Sequence, residues 1–568
     1  MSELDEGFIA GYACLCARAD LLDRINVFPV ADSDTGANLR ISLAPLRSCS
    51  GRRGLAVGQL YQTATGNSGN IAVSFFGEFL QAGHIDELPN KAAVGREKAR
   101  RAVAEPAEGT MLSVFDTLAG TLARLPVTWQ SCPMILAAIR DVVLATATAL
   151  PDLRSEGVVD AGALGMFVFF DGFFRAITGY AGNNRPLADL FPGRLAIAAG
   201  FRPRETELYC VDALIRPADG LVFTTETAAA LGESVVVIPN REQVKVHIHT
   251  SDPRKLREKM TGFGEIVAWS DESLHHDGTV RQGDDSPACM HIMTDAAGSL
   301  SREMARRHGI TLLDSYIVSG DTANPESLCS PEAIYTRMRA GEKVTTAQAS
   351  LFERQQLYRS VCEQYGRTLY LCVGSAFTGN HATATAWKEE QDADDLLSVI
   401  DTGAASGRLG VIALLVARYA RTVEDAGRVL SRARFLMENA KEYVFIDVLR
   451  YLVAGGRVSR TGGFFGDLLH MKPVISPTPE GVKRVGLVRN RDAQIAFASD
   501  KVRLEAAGWK DVLVLLQYSD NREWVAEVVQ PRIRACLPGA EILTGPLSLT
   551  SGVHMGPGAW SIAFAPVA

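Results

Sequence analysis

From residue 1 to about 195, apolar positions recur at three- and four-residue intervals, as at Leu39, Leu43 and Leu46, and long β-branched runs are missing. That spacing predicts a helical block. From about 200 to 270 the pattern changes to short continuous apolar runs, SVVVIP and QVKVHIHT, which predict strands. A charged, apolar-poor stretch, SDESLHHDGTVRQGDDSP (270–287), reads as a linker. Beyond it, MHIMTD, TLYLCVGSAFTGN, LLSVIDTGAASGRLG and KDVLVLLQYSD each run from a short apolar strand into small or polar residues before a helical segment. That alternation is what α/β layering produces. No fixed-period repeat is present. The expected plan is a helical domain over 1–195, a small α+β domain over 200–270, a linker over 271–287 and an α/β region over 288–568.

Length supports several domains, because 568 residues exceed what one hydrophobic core serves. Apolar residues at 47% and charged residues at 22% are ordinary globular values. A net charge of −7 leaves no basic footprint, so nucleic acid is not an expected partner. The most apolar window, ALGMFVFFDGFFRAITGY, is broken by Asp171 and Arg175 and is expected to be a core helix, leaving at most peripheral membrane contact. The N-terminus lacks a basic-then-apolar signal pattern, and the ten cysteines include no CxxC pair. Both features lead to the expectation of a cytoplasmic protein with reduced thiols.

The helical block carries four loops of one kind. INVFPVADSDTGANLR (25–40), TATGNSGN (63–70), EGT (108–110) and VVDAGALG (158–165) each place Gly, Ser, Thr or Asn at a helix start. Free backbone N–H groups and the helix dipole favour anions there. Each loop alone is equally a plain cap; four in one block suggest convergence on one anionic ligand. The first loop adds Asp32 and Asp34. Two carboxylates about 4 Å apart repel by roughly 4 kcal/mol at an effective dielectric of ~20, so such a pair takes up a proton or recruits a cation. An EF-hand is excluded, since Leu43 stands where its bidentate Glu belongs and Gly36 is misplaced. Oxygen ligands beside phosphate donors suit Mg²⁺. On these residues alone a solvated Asx-type turn stays an open reading.

NVFPVADSDTGAN resembles the nucleotide loop of the dihydroxyacetone kinase L-type (DAK2) fold, in the branch found in bacterial fatty acid kinases. GNSG, EGTML and VVDAGALG are similar to that family's later motifs, in the same order. The resemblance implies an all-α helical barrel that binds ATP with two Mg²⁺ ions. Carried over, Asp32 and Asp34 would be metal ligands with catalytic roles, and Asn26 a third contributor. Thr35, Gly36, Asn38, Asn67, Ser68 and Gly69 would hold phosphates; Thr110, Asp160 and Gly162 would approach the nucleotide. The family usually has Gly between the two aspartates, where this chain has Ser33, and DAGG where this chain reads DAGA.

In VKVHIHTSDP, His247 and His249 lie two apart on a predicted strand and so share a face. By themselves they are a structural pair or two of the three ligands Zn²⁺ needs. The segment resembles the middle domain of fatty acid kinases. The resemblance implies a zinc site of Cys210, from YCVDA, with His247 and His249, structural rather than chemical in role.

Residues 289–568 resemble the DegV family, two-subdomain α/β proteins that bind one fatty acid. The landmarks are MTDAAGSL, TTAQAS, VGSAFTGN, IDTGAASGRLG, LVAGGRVSRTGG and VHMGPGAW. The resemblance implies that Thr346, Thr378 and His554, with N–H groups around Gly379 and Asn380, hold the lipid carboxylate. Hydroxyls, an imidazole and loop amides are donors that fix an anion without neutralising it. Gly455, Gly456 and Arg457 belong to the family's GGR motif, structural or facing the kinase block.

These parts fit one reaction: ATP-dependent phosphorylation of a fatty acid carboxylate to acyl phosphate. At about 0.8 kcal/mol per CH₂, a sixteen-carbon tail resists leaving its apolar site by on the order of 10 kcal/mol, so a carrier that offers only the carboxyl end avoids that cost. A homodimer and a downstream acyltransferase are expected partners. A dihydroxyacetone-type small-substrate kinase and a non-catalytic lipid-binding sensor holding ADP are the alternatives.

Overall fold

The computed structural model describes residues 2–182, 185–197, 201, 208–240, 242–274, 288–320, 322–454 and 471–567. They fall into two compact units, Met1–Thr279 and Val280–Ala568. Most of the predicted linker, residues 275–287, and the GGR motif with Gly455, Gly456 and Arg457 lie outside the described residues.

The first unit begins with nine helices: α1 (Glu3–Arg24), α2 (Thr35–Ser42), α3 (Arg53–Thr63), α4 (Gly66–Phe79), α5 (Leu88–Ala102), α6 (Met111–Leu122), α7 (Cys132–Ala149), α8 (Pro151–Glu156) and α9 (Ala161–Thr178). Ser2 and Asp5 form a reciprocal capping box that starts α1. Leu4, Phe8, Tyr12, Leu15 and Leu22 then recur at helical spacing and are buried. Neighbours pack in series: α1 on α2, α2 on α4, α4 on α5, α5 on α6, α6 on α7 and α7 on α9, and α9 returns to α1. The α1–α9 seam is close because a Cβ on Gly11 would stand 2.7 Å from the Phe169 carbonyl, and one on Gly172 would stand 2.9 Å from that of Ala10.

Phenylalanine fills the interior: Phe8, Phe75, Phe76, Phe79, Phe115, Phe169, Phe170 and Phe173 are fully buried, and the Phe75 and Phe115 rings stack at 4.1 Å. The two charges that break the apolar window pair with each other, Arg175 Nε lying 2.8 Å from Asp171 Oδ1. Two helices, α7 and α9, are long and apolar enough to cross a membrane by length and composition, and 78% of the α9 window is buried inside the unit.

The rest of this unit is an antiparallel sheet of β1 (Tyr209–Pro217), β2 (Glu233–Asn240), β3 (Gln243–Thr250) and β4 (Gly264–Ser273), in the order β2-β3-β1-β4. It is fastened to the helices: Val103 bridges Val236, and Val236 and Ile238 enter the same core as the phenylalanines.

The second unit has three sheets. Strands β5 (His291–Asp295), β6 (Ile310–Leu313), β10 (Thr368–Cys372) and β11 (Leu397–Asp401) form a parallel sheet in the order β11-β10-β5-β6. All five residues of β10 are buried, which explains the unbroken TLYLC run. Strands β7 (Ser315–Ser319), β8 (Thr322–Pro325) and β9 (Val344–Gln348) make a small antiparallel sheet. A six-stranded sheet holds β12 (Lys441–Phe445), β13 (Lys472–Thr478), β14 (Gly481–Val488), β15 (Val512–Tyr518), β16 (Glu541–Pro546) and β17 (Trp560–Pro566). Its order is β14-β13-β12-β17-β15-β16, with only β15 and β16 parallel.

Candidate functional site

In the first unit a cavity of about 590 Å³ opens between the helix starts and the middle sheet. It is lined by Asn26, Asp32, Asp34, Thr35, Asn67, Ser68, Thr110, Asp160 and Gly162, and also by Cys210, His247 and His249. Two sites that read as separate in the sequence therefore share one cavity.

Asp34 occupies the N-cap position of α2, yet its side chain makes no capping hydrogen bond. Asp23, buried at the end of α1, does that work and accepts from the Gly36 and Ala37 amides at 2.8 and 3.2 Å. The Asp34 carboxylate is thus spared for the cavity, against the plain-turn reading. Asn26 Nδ2 donates to Asp32 Oδ1 at 2.6 Å. Asp32 keeps some access to solvent, but the cavity walls surround it. Burial, and then Asp34 beside it, push its carboxyl well above the usual carboxylate range. Ser33 between them has φ +58°. That left-handed conformation costs an L-residue about 1–2 kcal/mol and accounts for glycine being the family's usual residue there.

A second helix repeats the substitution of one cap by another. Thr65 is the N-cap of α4 and makes no capping bond with its own side chain. Asp212 of β1 takes the Gly66 amide instead, at 3.1 Å. Asn67 Oδ1, Ser68 Oγ and Asn26 Oδ1 are buried without hydrogen-bond partners. Buried polar atoms left unsatisfied cost about 1–3 kcal/mol each, so these atoms at a cavity wall point to a polar guest.

Three residues expected to hold phosphate are absent from the lining. Gly36 has its amide committed to Asp23, and a Cβ there would collide with the Ala19 carbonyl. Gly69 backs onto the Ser42 hydroxyl, and the Asn38 side chain packs over Gly66, whose φ of +64° leaves no room for a Cβ. These are close-packing positions between α2 and α4, which is the correction to the expected ligand roles of Gly36, Asn38 and Gly69. Thr110 and Asp160 line the cavity while capping their own helices, through Leu112 N at 3.3 Å and Ala163 N at 2.7 Å. Burial raises the Asp160 carboxyl to about 7.

On the sheet side, antiparallel register sets Cys210 opposite His249 and Asp212 opposite His247. The ligand atoms of Cys210, His247 and His249 lie within 4.8 Å of one another. His247 Nε2 and His249 Nε2 are 3.3 Å apart. Two Zn–N bonds of about 2.0–2.1 Å at a tetrahedral angle need about that separation. Burial, then His247, lowers the His249 imidazole to about 3, so it stays neutral and able to ligate. Burial pushes the Cys210 thiol far up, helped by Asp212, Asp34 and Asp32; a divalent cation reverses that balance.

Asp212 is the residue sequence reading missed. Burial works against its charge, but His247 and Lys245 hold its carboxyl well below the usual range. The available signal was alternation: Cys210 and Asp212 share a strand face, as His247 and His249 do.

In the second unit, Thr346 and His554 meet at another cavity of about 590 Å³, with Thr346 Oγ1 3.4 Å from His554 Nε2. His554 lies on the helix Leu549–Met555, which buried Glu326 anchors by accepting from Thr550 N and Oγ1 at 2.7 and 2.6 Å. Arg450 and Tyr451, which sequence reading passed over, also line this cavity. Thr378, Gly379 and Asn380 do not. The Asn380 amide donates to Thr378 Oγ1 at 3.3 Å, and its side chain bridges buried Asp295 (2.6 Å) and Arg354 (2.9 Å). The expected joint cradle is corrected to Thr346 and His554, with the 378–380 turn serving an internal network.

Comparison with known proteins assigns the regions. Residues 29–175 match the DAK2 domain, residues 207–278 the middle domain of FakA-like fatty acid kinases, and residues 290–567 the DegV family. A DegV domain-containing protein of Streptococcus pyogenes serotype M1 is 26% identical over 278 residues, 47% of this chain and 94% of that protein. An uncharacterized protein of Staphylococcus saprophyticus is 27% identical over 361 residues, 57% of this chain and 65% of that one. Among solved structures, a fatty-acid-binding DegV family protein from Thermus thermophilus is 24% identical, covers 49% of this chain and 99% of its own, and has a TM-score of 0.46. DegV from Bacillus subtilis, also described as fatty acid binding, is 20% identical with the same coverages and a TM-score of 0.45. The chain thus joins a DAK2 domain, a FakA-like fatty acid kinase middle domain and a DegV-family region in one polypeptide.

Proposed function

We propose that the protein is an ATP-dependent kinase that phosphorylates a fatty acid carboxylate to acyl phosphate. The observation that carries this reading is the first-unit cavity, where Asp32 and Asp34 face unpartnered Asn67, Ser68 and Asn26 atoms. The matches to the DAK2 domain and to the FakA-like middle domain support it, and the closed series of helices from α1 back to α9 suits the helical barrel of the DAK2 fold.

Joining a carboxylate to a γ-phosphoryl group sets two anions against each other, so positioning and charge neutralisation supply most of the catalysis. Asp32 and Asp34 would hold Mg²⁺, with Asn26 orienting Asp32, and bound Mg²⁺ supplies charge neutralisation at the β- and γ-phosphates. Asn67 and Ser68 offer an amide and a hydroxyl to phosphate oxygens, and Thr35 lines the same wall. Cys210, His247 and His249 fit a Zn²⁺ site through their donor set and spacing. The acceptor needs no strong base, because its carboxylate is already ionised. Thr346 and His554 would fix that carboxylate in the DegV-family region, which by its family resemblance holds the tail.

Incubation with ATP, Mg²⁺ and oleate or palmitate, followed by hydroxylamine trapping, tests the reading. A lipid-dependent hydroxamate is expected, lost in Asp32→Ala/Asp34→Ala. No hydroxamate, or an undiminished yield in the double variant, would sink the proposal.

A further inference from the structure

Asp212 divides its two carboxylate oxygens between the two halves of the cavity. Oδ2 accepts from Thr65 Oγ1 at 3.2 Å and Gly66 N at 3.1 Å, the N-cap and first residue of α4. Oδ1 faces His247 Nδ1 at 3.4 Å, accepts from Asn70 Nδ2 at 3.2 Å and lies 3.9 Å from Lys245 Nζ. One rigid group therefore sets both the start of the GNSG loop and the orientation of a ring in the Cys/His cluster.

That arrangement has chemical consequences on each side. On the sheet, a carboxylate at Nδ1 selects the tautomer whose Nε2 carries the free lone pair, and Nε2 is the atom 3.3 Å from His249 Nε2. On the helix, Asp212 replaces the missing Thr65 cap, so the conformation presenting Asn67 and Ser68 depends on where Asp212 stands. A cation at the cluster also adds positive charge to a cavity whose aspartates already act on the Cys210 thiol.

We infer that Asp212 is a positioning residue that couples metal binding at Cys210, His247 and His249 to nucleotide binding at the GNSG loop. This rests on the reading of the cavity as a nucleotide site. The coupling is favourable, and it is reciprocal: zinc tightens nucleotide and nucleotide tightens zinc by the same factor.

The test uses the full chain, stripped with a zinc-selective chelator and kept in Mg²⁺. ADP affinity is measured calorimetrically with and without one equivalent of Zn²⁺, and zinc affinity is measured against a chromophoric competitor with and without ADP. In wild type each ligand is expected to tighten the other by about tenfold, inside the usual range for coupled sites. Asp212→Asn keeps an oxygen for the loop but turns an NH₂ toward His247. It should lower zinc affinity by about 10–100-fold and bring the coupling factor close to one, with an unchanged far-ultraviolet spectrum. Thr65→Val cuts only a loop-side bond. It should keep wild-type zinc affinity in the absence of nucleotide and show a smaller factor, which decides the matter even where Asp212→Asn fails to fold. ADP binding with a factor of one in wild type, or a wild-type factor in either variant, overturns the inference alone. No ADP binding by the zinc-loaded wild type overturns the kinase reading and the inference together.

Discussion

Replacing Asp32 by Asn removes one negative charge and keeps an oxygen for Asn26 Nδ2, 2.6 Å away. In metal-free protein this change is expected to stabilise the fold at neutral pH. Two carboxylates about 4 Å apart repel by roughly 4 kcal/mol at an effective dielectric of ~20. The chain avoids part of that by retaining a proton, because burial and then Asp34 hold the Asp32 carboxyl well above its ordinary range. A carboxyl raised in the folded state binds more protons there than in the unfolded chain. Its contribution is full below the unfolded value of about 4 and is lost as pH rises toward the folded value, at up to about 1.4 kcal/mol per pH unit.

From pH 5 to pH 7 the wild type loses up to about 2.7 kcal/mol through this group, and the variant loses none of it. Solvent that reaches the carboxylate screens part of the effect, so about 1–2 kcal/mol is expected. For a unit of this size that is a relative rise in midpoint of about 2–8 °C at pH 7 over pH 5. Asp160, raised in the same direction, is common to both chains and cancels. Mg²⁺ with ADP should reverse the order by stabilising wild type and not the variant. Scanning calorimetry of both chains at the two pH values, with chelator or with Mg²⁺ and ADP, reads this directly. A variant that gains nothing at pH 7 in chelator, or that gains as much from Mg²⁺ as wild type does, would refute the paired-carboxylate argument.

Cys210→Ser should lose the zinc that elemental analysis finds in wild type; a full equivalent in the variant would remove Cys210 from the ligand set. Phe75→Ala deletes a ring stacked at 4.1 Å on Phe115 and should cost about 3–5 kcal/mol in chemical denaturation, whereas a loss below about 1 kcal/mol would mean that this core is not close-packed. Ser33→Gly relieves a residue at φ +58° and should raise stability by about 1 kcal/mol less the entropy glycine adds to the unfolded chain; a clear destabilisation would show that the Ser33 side chain holds the loop.

The sequence by itself determined the local features. Helical spacing at Leu39, Leu43 and Leu46, the strand runs of QVKVHIHT and TLYLC, and the small-residue helix starts all depend on residues within a few positions of each other, so a one-dimensional pattern carries them. The close carboxylates Asp32 and Asp34 were legible for the same reason.

Tertiary structure decided what each small residue is for. Gly36 and Gly69 have the composition of a phosphate loop, but helices pass so close behind them that they serve as packing positions. Asn380 has the chemistry of an anion donor, but Asp295 and Arg354 claim both ends of its side chain. Distance along the chain hid the rest. Strand register brought Cys210 against His249, and the fastening of β2 to the helices carried that cluster to the aspartate cavity. Asp212 reaches a helix start 146 residues earlier in the chain, a contact that no local spacing encodes. INVFPVADSDTGANLR announced a charged bend, and only the fold made Asp23 its cap and left Asp34 facing the cavity.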